Sequence, residues 1–572
     1  MNLNENNRLL ISVILCVAVL ALWQHFFVKP KEAEFNKKMQ EYQQTTKKIS
    51  TTKEQIVESK KETIDNLKEE RNKTPKITIK SDKLEGSLAL KGLRFDDLTL
   101  LKYKETIEKN SKHVTLLSPN YSDQVYFAEF GWISNDKKLE LPSENTLWQT
   151  KDKILSPNKP ITLNWKNSAG IEFIVKISLD KNYMFNIEKQ VINHSKNDIN
   201  IASYGLINRK EHMFDGINET LIHKGPLGVF NNVLSEYSFK DSKKEKKVSF
   251  SSDNSWLGFT DKYWFTAIVP DKNTKINSNF SSYLKDLEDR FQIDYSTDLT
   301  LVKAGGNFSD TAKLFTGAKQ LSLLDKYSEK YQIPLFDRMV DFGWFYFITK
   351  PIFLTLTMFH KLIGNFGIAI ILLTFCIKSL LFPLAYKSYV SMHKMKQYQP
   401  KITAIKERYP DDKILMNKEI MALYKREKIN PAAGCLPMLI QIPIFFSLYK
   451  VLLITIEMRH APFFGWILDL SSADPTSLFN LFGLLKFNLP ETLQIGVWPL
   501  IMGLTMYLQQ KVSPQPVDPI QAKVFKAYPF IFTTILYRFP AGLIIYWTVN
   551  NSFTIIQQLI INKLLDSKYI KG

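Results

Sequence analysis

The residues between Gly364 and Lys387 read NFGIAIILLTFCIKSLLFPLAY and carry a single charge, Lys378. The run is long enough to cross a bilayer, so the chain must house an ammonium at membrane depth. That placement costs roughly 2.5–3.5 kcal/mol on insertion scales and is normally kept only where the charge faces water or protein. The alternative is a lysine that snorkels to nearby headgroups. At about 1.5 Å per residue, Lys378 lies roughly 12 Å inside Tyr386, about twice the reach of a lysine stem.

Two populations of sequence surround this segment. Residues 335–565 are dominated by Leu, Ile and Phe runs, whereas residues 29–330 are polar. An integral membrane protein with a large water-soluble insert is the expectation. The net charge of +19 comes from scattered lysines with no RNA- or DNA-binding pattern, so no nucleic-acid role is read from it. Cys16, Cys376 and Cys435 lie in or beside apolar segments, which leaves the insert without a disulfide. No HExxH, Walker loop or GxSxG occurs. The expectation is a protein that is not an enzyme and holds no metal or cofactor.

Leu9–Val28 is too long for a signal-peptide core and reads as a retained anchor, giving a first unit at 1–28. Residues 29–74 form a polar linker rich in Lys, Glu, Gln and Thr. Residues 75–330 change texture. ITIK (77–80), ITLNWKN (161–167), IEFIVKISLD (171–180), YMFNIEKQVI (183–192) and FQIDYSTDLTLV (291–302) alternate apolar and polar positions between Asn, Asp, Lys and Gly clusters. That pattern predicts a large antiparallel all-β sandwich, closed by helical spacing at 311–330.

Residues 331–364 are aromatic but interrupted by Asp337, Arg338, Asp341, Lys350 and Pro351, which suits an interfacial amphipathic helix. A core at 365–565 then holds spans at about 365–386, 437–456, 493–508, 524–539 and 541–561, followed by a short tail at 566–572. The spans at 493–508 and 524–539 are short, roughly 24 Å each at the helical rise, and such mismatch thins lipid. With the N-terminal anchor, the predicted fold is an α-helical polytopic membrane protein of six transmembrane helices plus the β domain. The loop 387–428 has eleven Lys/Arg against five Asp/Glu, and the tail adds Lys563, Lys568 and Lys571. Positive-inside reasoning puts that loop and both termini in the cytoplasm, with the β domain outside.

Several polar residues share these segments with Lys378. Thr374 lies one helical turn before it, Gln441 sits in PMLIQIPIFF, and the last span carries Tyr546, Trp547, Asn550 and Asn551. Each has a plain alternative: Thr374 can bond its own backbone, the amides can join helices, and Trp547 can pack on lipid. Together, beside a lysine with no acid inside the same five spans, they predict a water-accessible concavity. Such a groove would shorten the dry path for the polar flank of an incoming helix, and its cation would attract an acidic one. The loop 387–428 reads as two helices broken near Tyr409–Asp412, with Asp411 or Asp412 as cap. Met392, Met395 and Met421 fit either a hairpin seam or an adaptable surface for apolar clients.

GIAIILLTFCIKSLLFPL (367–384), YVSMHKMKQYQPKI (389–402), NPAAGCLPMLIQIPIFFSLY (430–449), APFFGWILDLSSADP (461–475) and FPAGLIIYWTVNNSFTIIQQ (539–558) stand in an order that resembles the bacterial YidC-type membrane protein insertases. The resemblance implies a protein of the inner membrane that inserts and folds membrane proteins without nucleotide, alone or beside the Sec translocon. It also implies an external domain similar to sugar mutarotases. By it, Lys378, Thr374, Gln441 and Trp547 match groove positions, where the commonest pattern has arginine at the Lys378 site. Lysine keeps the charge but not the two-pronged hold on a carboxylate. The implied partners are nascent integral membrane proteins, the Sec translocon and membrane lipid, with the ribosome either engaged through the 387–428 loop and short tail or met only transiently. Two other readings stand beside this one. A transporter would use Lys378 as its binding charge, but no internal repeat is seen. A tethered carbohydrate enzyme would need convergent histidines, whereas His113, His194, His212 and His223 are scattered.

Overall fold

The computed structural model describes residues 74–570 except 120–121, 123, 212–221, 273, 286–287, 344, 428, 430–435, 484, 486–493 and 514–518. The expected anchor at 1–28, and all but Thr74 of the linker, lie outside the described residues.

Two open sheets face each other. The larger, of eleven strands, begins along the path Lys247–Ser252, Ile276–Lys285, Glu288–Thr297, Ile199–Lys210 and Tyr126–Ile133. It continues through Arg94–Lys104, Leu84–Ala89, Lys76–Lys80 and Ile154–Leu155. The smaller runs Val233–Glu236, Gly225–Phe230, Ser255–Thr260, Trp264–Pro270, then Asn307–Ala318, Met184–Asn193, Ile171–Leu179 and Ile161–Lys166. Alternation decides which side chains enter the core. In Ile171–Leu179 the odd-numbered residues Ile171, Phe173, Val175, Ile177 and Leu179 are buried and the rest face outward. Phe173 meets Trp132 of the opposite sheet at 5.1 Å between ring centroids, and Phe185 meets Phe95 at 5.3 Å. Charged pairs are buried in the same core. Lys189 pairs with Asp310 at 3.0 Å and donates to Ser203 on the opposite sheet. Arg209 grips Asp261 through both terminal nitrogens, at 2.9 and 3.2 Å, beneath the Tyr126 ring.

The helical spacing expected at 311–330 is only half realised. Residues Asn307–Ala318 form a strand, and the helix covers Leu321–Tyr331 alone. Ala312, Leu314, Thr316 and Ala318 alternate inward, and the strand pairs on both edges, with Met184–Asn193 and with Trp264–Pro270. Ladder bonds on two sides outweigh the helical preference of this short sequence.

The helices, in chain order, are α1 (Phe239–Glu245), α2 (Leu321–Tyr331), α3 (Tyr346–Ile363) and α4 (Phe366–Leu380). They continue with α5 (Phe382–Gln397), α6 (Gln399–Arg408), α7 (Lys413–Arg426) and α8 (Leu436–Ile454). The last three are α9 (Val497–Val512), α10 (Pro519–Leu536) and α11 (Ala541–Ile570). Gly364, at a φ of 80°, ends α3, and the Asn365 side chain caps α4 by accepting from Ile368 N at 3.1 Å. α11 is the hub, packing on α4, α5, α8 and α9.

Six spanning helices are not found among the described residues. Among the described residues no single helix is long and apolar enough to cross a membrane, and only the bent pair α4 and α5, at 63°, qualifies by length and composition. The expected span 365–386 breaks at Leu381, because Pro383 opens a new helix in its first turn. α9 has sixteen residues, roughly 24 Å at the helical rise. The first turns of α10 carry Gln521, Lys523 and Lys526, and α11 is diluted by Asn550, Asn551, Gln557 and Gln558. The predicted polytopic fold is corrected accordingly. The multi-pass placement with both termini cytoplasmic rested on the count of six spans and falls with it.

Polar clamps tie the helical core to the strand end at Lys104 and to the segment 325–341 that precedes it. Arg459 donates to the carbonyls of Lys104 and Glu105 at 2.7 and 2.9 Å, with its guanidinium over Tyr263 and Trp264. Lys450 of α8 pairs with Asp341 at 2.8 Å, and Lys350 of α3 holds Asp325 and Asp337 at 2.9 Å each. Beside Arg459, the Glu457 carboxyl is pushed up to about 7 by burial, with Oε2 sealed and unpartnered among the described residues.

Candidate functional site

α11 presents two polar faces, and they serve different neighbours. Residues 546, 550 and 554 repeat at one-turn spacing and turn toward α4 and α8. Lys378 Nζ, half-buried, donates to Thr554 Oγ1 at 2.8 Å. Thr554 passes its own proton to the Asn550 carbonyl at 2.7 Å. Gln557 Nε2 reaches the Lys378 carbonyl at 3.4 Å, and Gln441 donates to the Tyr546 hydroxyl across α8 and α11. Asn550 Oδ1 is buried without a hydrogen-bond partner among the described residues. No carboxylate stands within ion-pair distance of Lys378 among them either. The ammonium is therefore held by neutral oxygen, with donor capacity to spare.

The other face turns toward α9 and α10, with Phe445 of α8 at its edge. Trp547 packs edge-on against Phe445 at 4.7 Å and near Phe532 at 5.9 Å, while Asn551 donates to Thr505 at 3.3 Å. Gln558 donates to the Val512 carbonyl at 3.1 Å. Thr374 is fully buried and its hydroxyl bonds the Ile370 carbonyl of its own helix at 2.7 Å. The structure thus brings together Lys378, Asn550, Gln441 and Tyr546 around one seam, and sets Trp547, Asn551 and Thr374 in packing positions beside it.

Thr554 was not among the residues singled out from sequence. Its position two turns after Tyr546 and one after Asn550 is the signal that identifies it. In the hairpin, Asp412 caps α7 by accepting from Ile414 N and Leu415 N, at 3.1 and 2.9 Å. Ile402 and Leu423 bury the seam between α6 and α7, and Tyr398 closes its base on Glu427 at 2.6 Å. Met392 packs instead against Tyr389, Ile561 and Leu565, Met395 is partly buried, and Met421 stands exposed beside Ile414.

Fold and seam together define a two-sheet domain joined to a helical core that holds a half-buried cation on a neutral hydroxyl. The family described as 60Kd inner membrane protein matches residues 358–568, and the YidC periplasmic domain matches residues 76–355. The membrane protein insertase YidC of Rickettsia bellii is 49% identical over 563 residues, covering 98% of this chain and 99% of the relative. That of Rickettsia canadensis is 48% identical over 562 residues, with 98% and 99% covered. A crystal structure of an active YidC insertase with its first transmembrane domain resolved aligns over 84% of this chain and 94% of that one, at 18% identity and a TM-score of 0.34. The chain belongs to the YidC-type family of membrane protein insertases.

Proposed function

We propose that this chain inserts and folds integral membrane proteins, and that the Lys378–Thr554 seam receives the polar flank of the entering helix. Family membership over nearly the whole chain carries the first statement. The second rests on Lys378 itself, a cation held by a hydroxyl with no acid beside it among the described residues. An incoming carboxylate or backbone carbonyl can take the unused donors of the ammonium, while Asn550 Oδ1 accepts from a client N–H. Burial of the client's apolar stretch, at about 25 cal/mol per Å², then supplies the driving force without nucleotide.

Further assignments belong to the same reading. α3 lies along the membrane surface with Phe347, Leu354, Met358 and Leu362 toward lipid, since these exposed residues share one helical face. The α6–α7 hairpin, with Met421 and Ile414 outward, is the surface for a Sec translocon or a ribosome. Depletion of the native protein and complementation with Lys378→Ala, read by protease protection of a client, tests the seam. Lost insertion at normal protein levels supports it, and full insertion counts against it.

A further inference from the structure

Two loops between α8 and α9 display apolar side chains on a rigid base. In 461–468 Phe464, Trp466 and Leu468 are exposed, and in 478–482 Phe479, Leu481 and Phe482 are about half exposed. These stretches contain no charged residue. The base beneath them is saturated with hydrogen bonds. Asp474 accepts from the Trp466 indole at 3.1 Å, from Thr476 N at 3.0 Å and from Trp498 N at 2.9 Å. Asp469 accepts from His460 N at 3.1 Å and from Ser471 N at 2.8 Å. Leu481 and Phe482 sit at φ of 50° and 59°, a left-handed backbone that bulky residues avoid. Strain is thus spent on holding two large apolar side chains outward rather than inward.

We propose that these two loops form a foot seated in the headgroup–acyl boundary of the bilayer, fixing the start of α9 at the membrane surface. Three observations select lipid as the occupant over protein. The tips offer no charge, and the one indole N–H is used internally. The aromatic and leucine content matches an interfacial belt. The patch also continues the exposed face of α3. Leu362 ends that face, and three residues later Asn365 donates to the Phe463 carbonyl at 3.2 Å, with the Phe463 ring closing over Gly367. The inference requires membrane association of the family and is independent of whether the Lys378 seam binds clients.

The test uses the full chain with Cys16→Ala, Cys376→Ala and Cys435→Ala, reconstituted in phosphatidylethanolamine–phosphatidylglycerol vesicles. Single cysteines at Phe464, Phe479 or, as control, the highly exposed Leu284 of the β domain carry a nitroxide label. Collision with oxygen is expected to exceed collision with a water-soluble nickel chelate at 464 and 479, with the reverse at 284. Nickel exceeding oxygen at 464 and 479 overturns the proposal. Labels there that neither reagent reaches overturn it too, in favour of a protein occupant.

Discussion

Lys378 Nζ lies 2.8 Å from Thr554 Oγ1, and that hydroxyl donates onward to the Asn550 carbonyl at 2.7 Å. The relay orients the threonine as an acceptor for the ammonium, and the remaining N–H groups of Lys378 have no other partner among the described residues. Lys378→Ala removes the charge and is expected to lower insertion of clients with acidic outer segments about tenfold, the worth of one charge-assisted contact. Lys378→Arg keeps the charge and is expected to be tolerated. Thr554→Val frees the lysine without removing it and should give an intermediate loss. Protease protection of the client in depleted cells, normalised to insertase level, measures all three.

The buried pair Arg209–Asp261 makes a prediction about the β domain. Its guanidinium is sandwiched near Tyr126, Phe239 and Phe259, so no water can replace the partner. Asp261→Ala strands that cation and should destabilise the domain by about 3–5 kcal/mol. Denaturant unfolding followed by tryptophan fluorescence checks it. A change below about 1 kcal/mol would mean the pair is more solvated than its geometry indicates.

Much of this arrangement is legible in the sequence, and the gaps have physical causes. The alternation in 171–179 and the Asp412 cap are local signals, set by period and by a single side chain. Residues 311–318 carry helical spacing yet form the end of a strand, because the ladder bonds on both its edges, to 184–193 and to 264–270, are invisible locally. The spans were overcounted because hydropathy averages over a window, whereas Pro383 and the amides of α11 act at single positions. Thr374 and Lys378 share a helix face, yet sequence cannot tell that one hydroxyl is satisfied by its own backbone while the other group reaches across to Thr554.

Glu457 supplies a pH dependence. Burial raises its carboxyl to about 7 in the folded chain, above an ordinary unfolded glutamate near ~4.3. The folded state therefore holds a proton that the unfolded state has lost. Its stabilising contribution is complete below about pH 4.3 and is lost as pH rises through about 7. The joint between Arg459 and the β domain should loosen over that window. Glu457→Gln is expected to flatten the dependence. Thermal unfolding at pH 5 and pH 8 compares the two, and an unchanged slope in the variant argues that Glu457 is not the group responsible.

Gly367 allows the loop at 461–468 to lie against α4. A Cβ there would come within 1.9 Å of the Phe463 ring, which is itself wedged against Phe464 and Trp498. Gly367→Ala should displace the ring and cost about 1–3 kcal/mol. Limited proteolysis in 461–475 is expected to accelerate in this variant relative to the parent chain.

An entering helix is expected to touch the Lys378 seam of α4 and α11. Site-directed crosslinking from a cysteine at Asn550, against a series of cysteines along a nascent client stalled during insertion, tests it most directly. The account predicts adducts with the polar flank of the client, weakened by Lys378→Ala and restored by Lys378→Arg. Adducts absent at Asn550 but present on α3 or the hairpin, with insertion proceeding normally, would contradict it.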